Sequence, residues 1–318
     1  MDGDAEEAVG RALERPTHFP PRLWWRVAKG AGVDTLNDNV PLIAAGCAFY
    51  TLLAIFPGIT ILVSLYGLLF DVATVAPQLE ALRPLLPDQA FAMVADRVQA
   101  VVSKPQATLG WGLALSSALA LWSTAAGVKS MMTALNIVYQ EPERRNFIQF
   151  SLIALLLTLG AVVGVIVTLT VVVGLPALLS FAWLGRLGEV LVTLLSWTLL
   201  GAGLVLGLGV LYRYGPSRRH ARWRWITPGS LVTVILWLLV AALYSFYVAN
   251  FAAYDATYGP LGAVIGAMMW FYVSAFVILF GAEINAQLEL HTSRDTTVGP
   301  DRPMGQRGAH VANTVVGR

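Results

Sequence analysis

The sequence predicts an all-α integral membrane protein with six transmembrane helices and both termini in the cytoplasm. Three observations carry that prediction. The 318 residues are 57% hydrophobic and only 13% charged, with mean hydropathy +0.66, whereas soluble domains carry about 25% charged residues. Several apolar runs exceed the ~20 residues that a helix needs to cross a bilayer. The basic residues fall overwhelmingly on one side of those runs.

Taken in order, the spans run over about 40–70, 109–138, 148–175, 189–212, 226–250 and 261–288. They are continuously apolar and do not alternate in ~10-residue pieces, which excludes barrel strands. The first, "VPLIAAGCAFYTLLAIFPGITILVSLYGLLF", is interrupted by Pro57-Gly58 and is too long for a signal-peptide core, so it reads as a retained span. Sixteen Lys and Arg lie in the N-terminus, the 139–147 and 213–225 loops and the tail. Only four, Arg83, Arg97, Lys104 and Arg186, lie on the other side. The positive-inside rule then places both termini in the cytoplasm, N-in and C-in.

Outside the 37–290 membrane domain, residues 1–21 and the tail 291–318 lack an apolar period and are expected to be disordered. Residues 22–36, "RLWWRVAKGAGVDTL", place Arg22, Arg26 and Lys29 on one helical face. They suit an amphipathic helix in the cytoplasmic interface or a plain juxtamembrane segment. Between the first two spans, the outer-side segment 71–108 carries an amphipathic pattern from Asp88 to about Ser103, with Phe91, Val94, Val98 and Val101 on one face. Glycines four apart (160 and 164, 203 and 207, 262 and 266) suggest close packing of helices within the chain.

The chemistry is sparse. Cys47 is the only cysteine, so the chain holds neither a disulfide nor a thiolate metal site. His18, His220, His291 and His310 are scattered through polar segments. No metalloprotease, redox, phosphate-loop or serine-hydrolase motif occurs. The pattern argues against an enzyme and offers no cofactor or metal site. The loop "YRYGPSRRHARWRW" interleaves arginine with tryptophan, but topology and anionic headgroups demand a positive loop there anyway, so lipids and not nucleic acid are its expected partners.

What stands out is charge at depth. Lys129 lies ~30 Å along the second span from its outer end and Glu283 ~33 Å along the sixth, at 1.5 Å per residue. Asn136, Asn37, Asp38, Asn39, Asn285 and Gln287 fall at the same level. Intramembrane ions usually face a bundle interior. These eight residues therefore form a candidate polar pocket open to the cytoplasm. The alternatives are that Lys129 and Glu283 clamp two helices or snorkel to the headgroups. On the outer side, "ANFAAYDATYGPLG" brings Tyr254, Asp255, Tyr258 and Pro260 into one hairpin, either an aromatic interfacial belt or an outer gate.

The motifs "LNDNVPLIAAGCAFYTLLAIFPGI", "LWSTAAGVKSMMTALNIVYQEPERRNF", "YRYGPSRRHARWRWITPGS", "YDATYGPLGAVIGAMMWFY" and "FGAEINAQLE", in that order over residues 30–290, resemble the YihY/BrkB family of bacterial inner-membrane proteins, once labelled ribonuclease BN. The resemblance implies six helical spans and a role in virulence, envelope integrity or export of lipid-like precursors. Asn37, Asn39, Pro41, Ala48, Tyr50, Pro57, Asn136, Tyr139, Tyr258, Gly259, Glu283 and Asn285 match its recurring positions. The ribonuclease label fits poorly, since the sequence offers no nuclease metal site. The expected function is translocation of an amphiphilic or lipid-like envelope substrate, with a membrane scaffold as the alternative.

Overall fold

A computed structural model describes residues 16–69, 83, 91–92, 95–96, 98–99, 111–171, 185–251 and 261–316. The described residues are mostly helical and include a single isolated β-bridge between Ala221 and Thr297. After a short 3-10 turn come α1 (Pro21–Asn37), α2 (Val40–Leu69), α3 (Trp111–Val138) and α4 (Phe147–Leu169). They are followed by α5 (Gly185–Tyr214), α6 (Trp223–Phe251), α7 (Leu261–Leu290) and a final turn, α8 (His310–Asn313). Four of these helices, α4 to α7, are each long and apolar enough to cross a membrane. The bent pair α1 with the first part of α2 makes a fifth candidate.

The bend is encoded locally. Asn39 adopts φ 53°, a left-handed conformation that asparagine tolerates better than branched residues, and Pro41 sits in the first turn of α2, where its missing N–H costs nothing. The two helices meet at 69°. Leu23, Val27, Ala31 and Thr35, four residues apart, form the buried stripe of α1 and pack on α7 and Trp225. Arg22, Arg26 and Lys29 face outward, as their spacing requires.

α7 is the hub, contacting α1, α2, α3, α6 and α8. Its closest approach is to α6, where a Cβ on Gly281 would run into Thr233 and one on Gly229 into the Gly281 carbonyl. Tyr212 of α5 closes this crossing: its hydroxyl donates to Ile278 O at 2.7 Å and lies 2.8 Å from Thr233 Oγ1. α2 and α3 cross at Gly127, whose Cβ would meet Ala54 Cβ at 3.4 Å. The regularly spaced glycines are not these contacts. Cβ atoms on Gly160, Gly164, Gly203 and Gly207 would meet nothing within 4 Å, so the expectation of intrachain packing fails there. A four-residue spacing marks a smooth face, and only a facing helix turns it into an interface.

Residues 291–316 also depart from expectation, because they fold back as an ordered strap. The Arg307 guanidinium donates to the carbonyls of Ser293, Arg294, Arg302 and Ala312, at 2.6–3.2 Å. Asp295 accepts from Thr297 N and Oγ1 and from Arg302 N. Backbone bonds join Arg219 to Gly308, Arg222 to Thr296 and Val298 to His220. The strap is held by side-chain-to-backbone bonds, which an apolar period cannot reveal. Of the outer-side segment, only residues 83, 91–92, 95–96 and 98–99 are described; Phe91 and Val98 are buried and Asp96 is exposed.

Replacing Arg307 by Gln is expected to abolish hydrogen-exchange protection across residues 293–312 while leaving α7 protected. Retained protection in that variant would show that the strap is ordered by something else.

Candidate functional site

The loops 139–146 and 215–222, the strap and the end of α7 meet at one Arg-rich end of the bundle, through a dense polar network. Arg218 and Glu289 form an ion pair of 2.6 Å with side chains only 2% and 0% exposed. The Arg218 guanidinium also lies 4.6 Å from the Tyr139 ring centroid, and Thr296 Oγ1 donates to the second Glu289 oxygen at 2.5 Å. Asn136, at the end of α3, donates to Glu143 at 2.8 Å and accepts from Ser217 N at 2.7 Å. His310 N donates to Glu141 at 2.5 Å. Every charge in this network has a partner.

Glu283, six residues before Glu289, does not. Its side chain is buried at 1% exposure, and its Oε1 has no hydrogen-bond partner among the described residues. The charged groups that bear on it are Asp38 and Asp34, both acids. Their placement is fixed by Gln287, one turn after Glu283, whose amide donates to Asp34 Oδ2. Asp34 and Asp38 end α1, where the helix dipole is negative, so two more carboxylates there add to the repulsion. Asp38 Oδ2 is also buried without a hydrogen-bond partner. The three carboxylates do not form a metal-holding group: no three His, Cys, Asp or Glu do so among the described residues. What this place lacks among the described residues is a basic partner.

Lys129 does not supply it. Its ammonium lies 4.2 Å from the Trp122 ring centroid and 5.5 Å from that of Phe147, at the start of α4, and no ion pair joins it to Glu283 among the described residues. Cation–π contacts contribute about 0.5–2 kcal/mol, enough to settle a lysine near a helix end without an acid. The structure thus separates the expected pocket into parts. Glu283, Asp38 and Gln287 come together, joined by Asp34. Asn285 is buried against α6, its Oδ1 accepting from Gly229 N at 2.8 Å. Asn136 belongs to the paired network, while Asn37 and Asn39 are exposed in the α1–α2 bend. Tyr254, Asp255, Tyr258 and Pro260 lie outside the described residues.

Asp34, Arg218 and Glu289 were not singled out from the sequence. Asp34 could have been, since an acid four residues before Asp38 near a helix C-terminus is unfavourable unless something answers it. Arg218 hid inside a basic loop whose charge topology already explains.

Four or five candidate spans among the described residues, each long and apolar enough to cross a membrane, define a multi-pass membrane protein. The chain belongs to the virulence factor BrkB family, whose model matches residues 33–304. It is 30% identical over 258 residues to a Bacillus subtilis (strain 168) protein named ribonuclease-like protein YfkH, covering 77% of this chain and 88% of that one. It is 29% identical over 317 residues to a UPF0761 membrane protein of Rhodospirillum centenum, covering 95% of this chain but 62% of that longer relative. A UPF0761 membrane protein of Alteromonas mediterranea is 26% identical over 260 residues, 79% of this chain and 84% of its own length. No solved structure matches the chain.

Glu143 gives the paired network a pH signature. Burial opposes its ionisation, but hydrogen bonds from Arg145 and Asn136 outweigh it and hold its carboxyl at about 2, below its ordinary 4.5. A depressed carboxyl stabilises the fold above its unfolded value and loses that contribution as pH falls. Thermal unfolding in detergent is therefore expected to weaken between pH 4.5 and about 2. In Glu143→Gln that part of the slope should be missing, and an unchanged acid limb would contradict the assignment.

Proposed function

We propose that this protein translocates an amphiphilic or lipid-like envelope substrate across the bacterial inner membrane, with Glu283 as the group that meets the substrate's polar part. In this reading α2 to α7 are six spans, and the Arg-rich end with both termini faces the cytoplasm. The positive-inside asymmetry supports that orientation. The observation that carries the proposal is the company of Glu283: a buried carboxylate facing Asp34 and Asp38, with the nearby cations engaged elsewhere. A helix clamp pairs opposite charges. Three acids in one place weaken a bundle, and such a cost at depth is characteristic of a transport pathway.

The scaffold reading has one observation of its own. Asn136, Asn285 and Gln287 are all buried and hydrogen-bonded, as in a dry helix junction. Translocation then requires α1 and α7 to part, opening Glu283 to the cytoplasm. The 69° bend at Asp38 and Asn39 is the joint that lets them do so. The names of the relatives, a virulence factor and a ribonuclease-like protein, are compatible with an envelope role and do not name a substrate.

The test is leaflet-to-leaflet movement of labelled lipid in liposomes containing the purified protein, beside empty liposomes and the Glu283→Gln variant. Protein-dependent movement, reduced at least tenfold in the variant, is expected. Movement equal in both would remove Glu283 from the path, and none with the wild type would favour the scaffold.

A further inference from the structure

A second feature uses none of the residues around Glu283. Between α5 and α6 runs an apolar groove of about 470 Å³. Its floor is made of small residues, Gly201, Ala202 and Gly209, and its rims of Trp197, Leu206 and Leu231, all three exposed. From Trp197 to Gly209 it extends twelve helical rises, ~18 Å, the length of an extended acyl chain. The floor is open by design of the side chains. A Cβ on Gly201 would meet nothing within 4 Å, while at the other end the Trp223 ring comes so close to Gly209 that a Cβ there would lie 2.8 Å from its Cζ3.

The end closed by Trp223 is the Arg-rich end. Arg213 follows Gly209 by one turn on the same stripe of α5, and its guanidinium lies 5.1 Å from the Trp223 ring centroid. On α6, Arg224 precedes Thr227, a groove residue, by three positions and so continues that stripe. Neither arginine has a carboxylate partner among the described residues, and the Nε of each is buried without a hydrogen-bond acceptor. An apolar trough of acyl length that ends at two arginines without acids is complementary to one class of molecule.

We propose that the α5–α6 groove is a binding site for an anionic glycerophospholipid. One acyl chain lies along Gly201, Ala202 and Gly209, stacked against Trp223, and the phosphate is held by Arg213 and Arg224. Basic sites between helices at the membrane surface hold anionic headgroups in this way, since arginine presents several N–H donors to phosphate oxygens. Arg213 and Arg224 are the only arginines among the described side chains of α5 and α6, so ordinary annular lipid on the rest of their described surface would show no preference for charge.

Native mass spectrometry of the delipidated protein, re-exposed to phosphatidylglycerol or phosphatidylcholine, tests this without requiring translocation. The wild type is expected to retain one phosphatidylglycerol with at least tenfold preference over phosphatidylcholine. Gly201→Leu places its side chain where a Cβ meets nothing within 4 Å, and should lose the bound lipid while keeping its helical circular dichroism. The double variant Arg213→Gln, Arg224→Gln should keep binding but lose the preference, and it carries the test alone if Gly201→Leu fails to fold. Equal retention of both lipids by the wild type, or undiminished preference in the arginine variant, would overturn the proposal as annular lipid only. So would full occupancy in a folded Gly201→Leu.

Discussion

The Arg218–Glu289 ion pair is the constraint around which the Arg-rich end of the molecule is arranged. Glu289 belongs to the last turn of α7, Arg218 to the loop between α5 and α6, and Thr296 of the strap donates to the same carboxylate. Tyr139, at the end of α3, lies against the guanidinium. One buried pair thus joins four separate parts of the chain. Removing one member of such a pair costs about 3–5 kcal/mol, because the other is left charged and dry. With the pair in place, the loops can close, the strap can dock and α7 can serve as a hub.

Against this fully paired background the isolation of Glu283 acquires meaning. The same helix supplies one carboxylate held by both Arg218 and Thr296 and another, six residues earlier, whose charged neighbours Asp38 and Asp34 are acids. The fold answers Glu289 with a buried arginine, and among the described residues it gives Glu283 none. Lys129 lies on the neighbouring helix α3, yet it rests on Trp122 and Phe147. An unanswered acid here is the stability cost that the proposed translocation role would explain.

Much of the architecture was legible in the sequence because it follows from hydropathy. The described helices α2 to α7 fall on the apolar runs, and four or, with the bent pair, five candidate spans among the described residues are long and apolar enough to cross a membrane. Glu283 could be recognised as a charge in an apolar setting. Its neighbours could not, since they depend on which face of α7 meets the end of α1, a tertiary contact that hydropathy does not carry. Lys129 misled for a similar reason: its aromatic partners are a residue seven positions back and the first residue of another helix. The strap was invisible to hydropathy because its order comes from Arg307 and Asp295 binding backbone groups.

The central claim is that Glu283 is retained at a cost to stability, whereas Glu289 is retained for it. Thermal unfolding of Glu283→Gln and Glu289→Gln, measured side by side in one detergent at neutral pH, tests this most directly. Neutralising Glu289 should lower the Tm markedly, and neutralising Glu283 should leave it unchanged or raise it. A Glu283→Gln variant as destabilised as Glu289→Gln would show that Glu283 is a structural clamp, and the account of a charge held for translocation would fall.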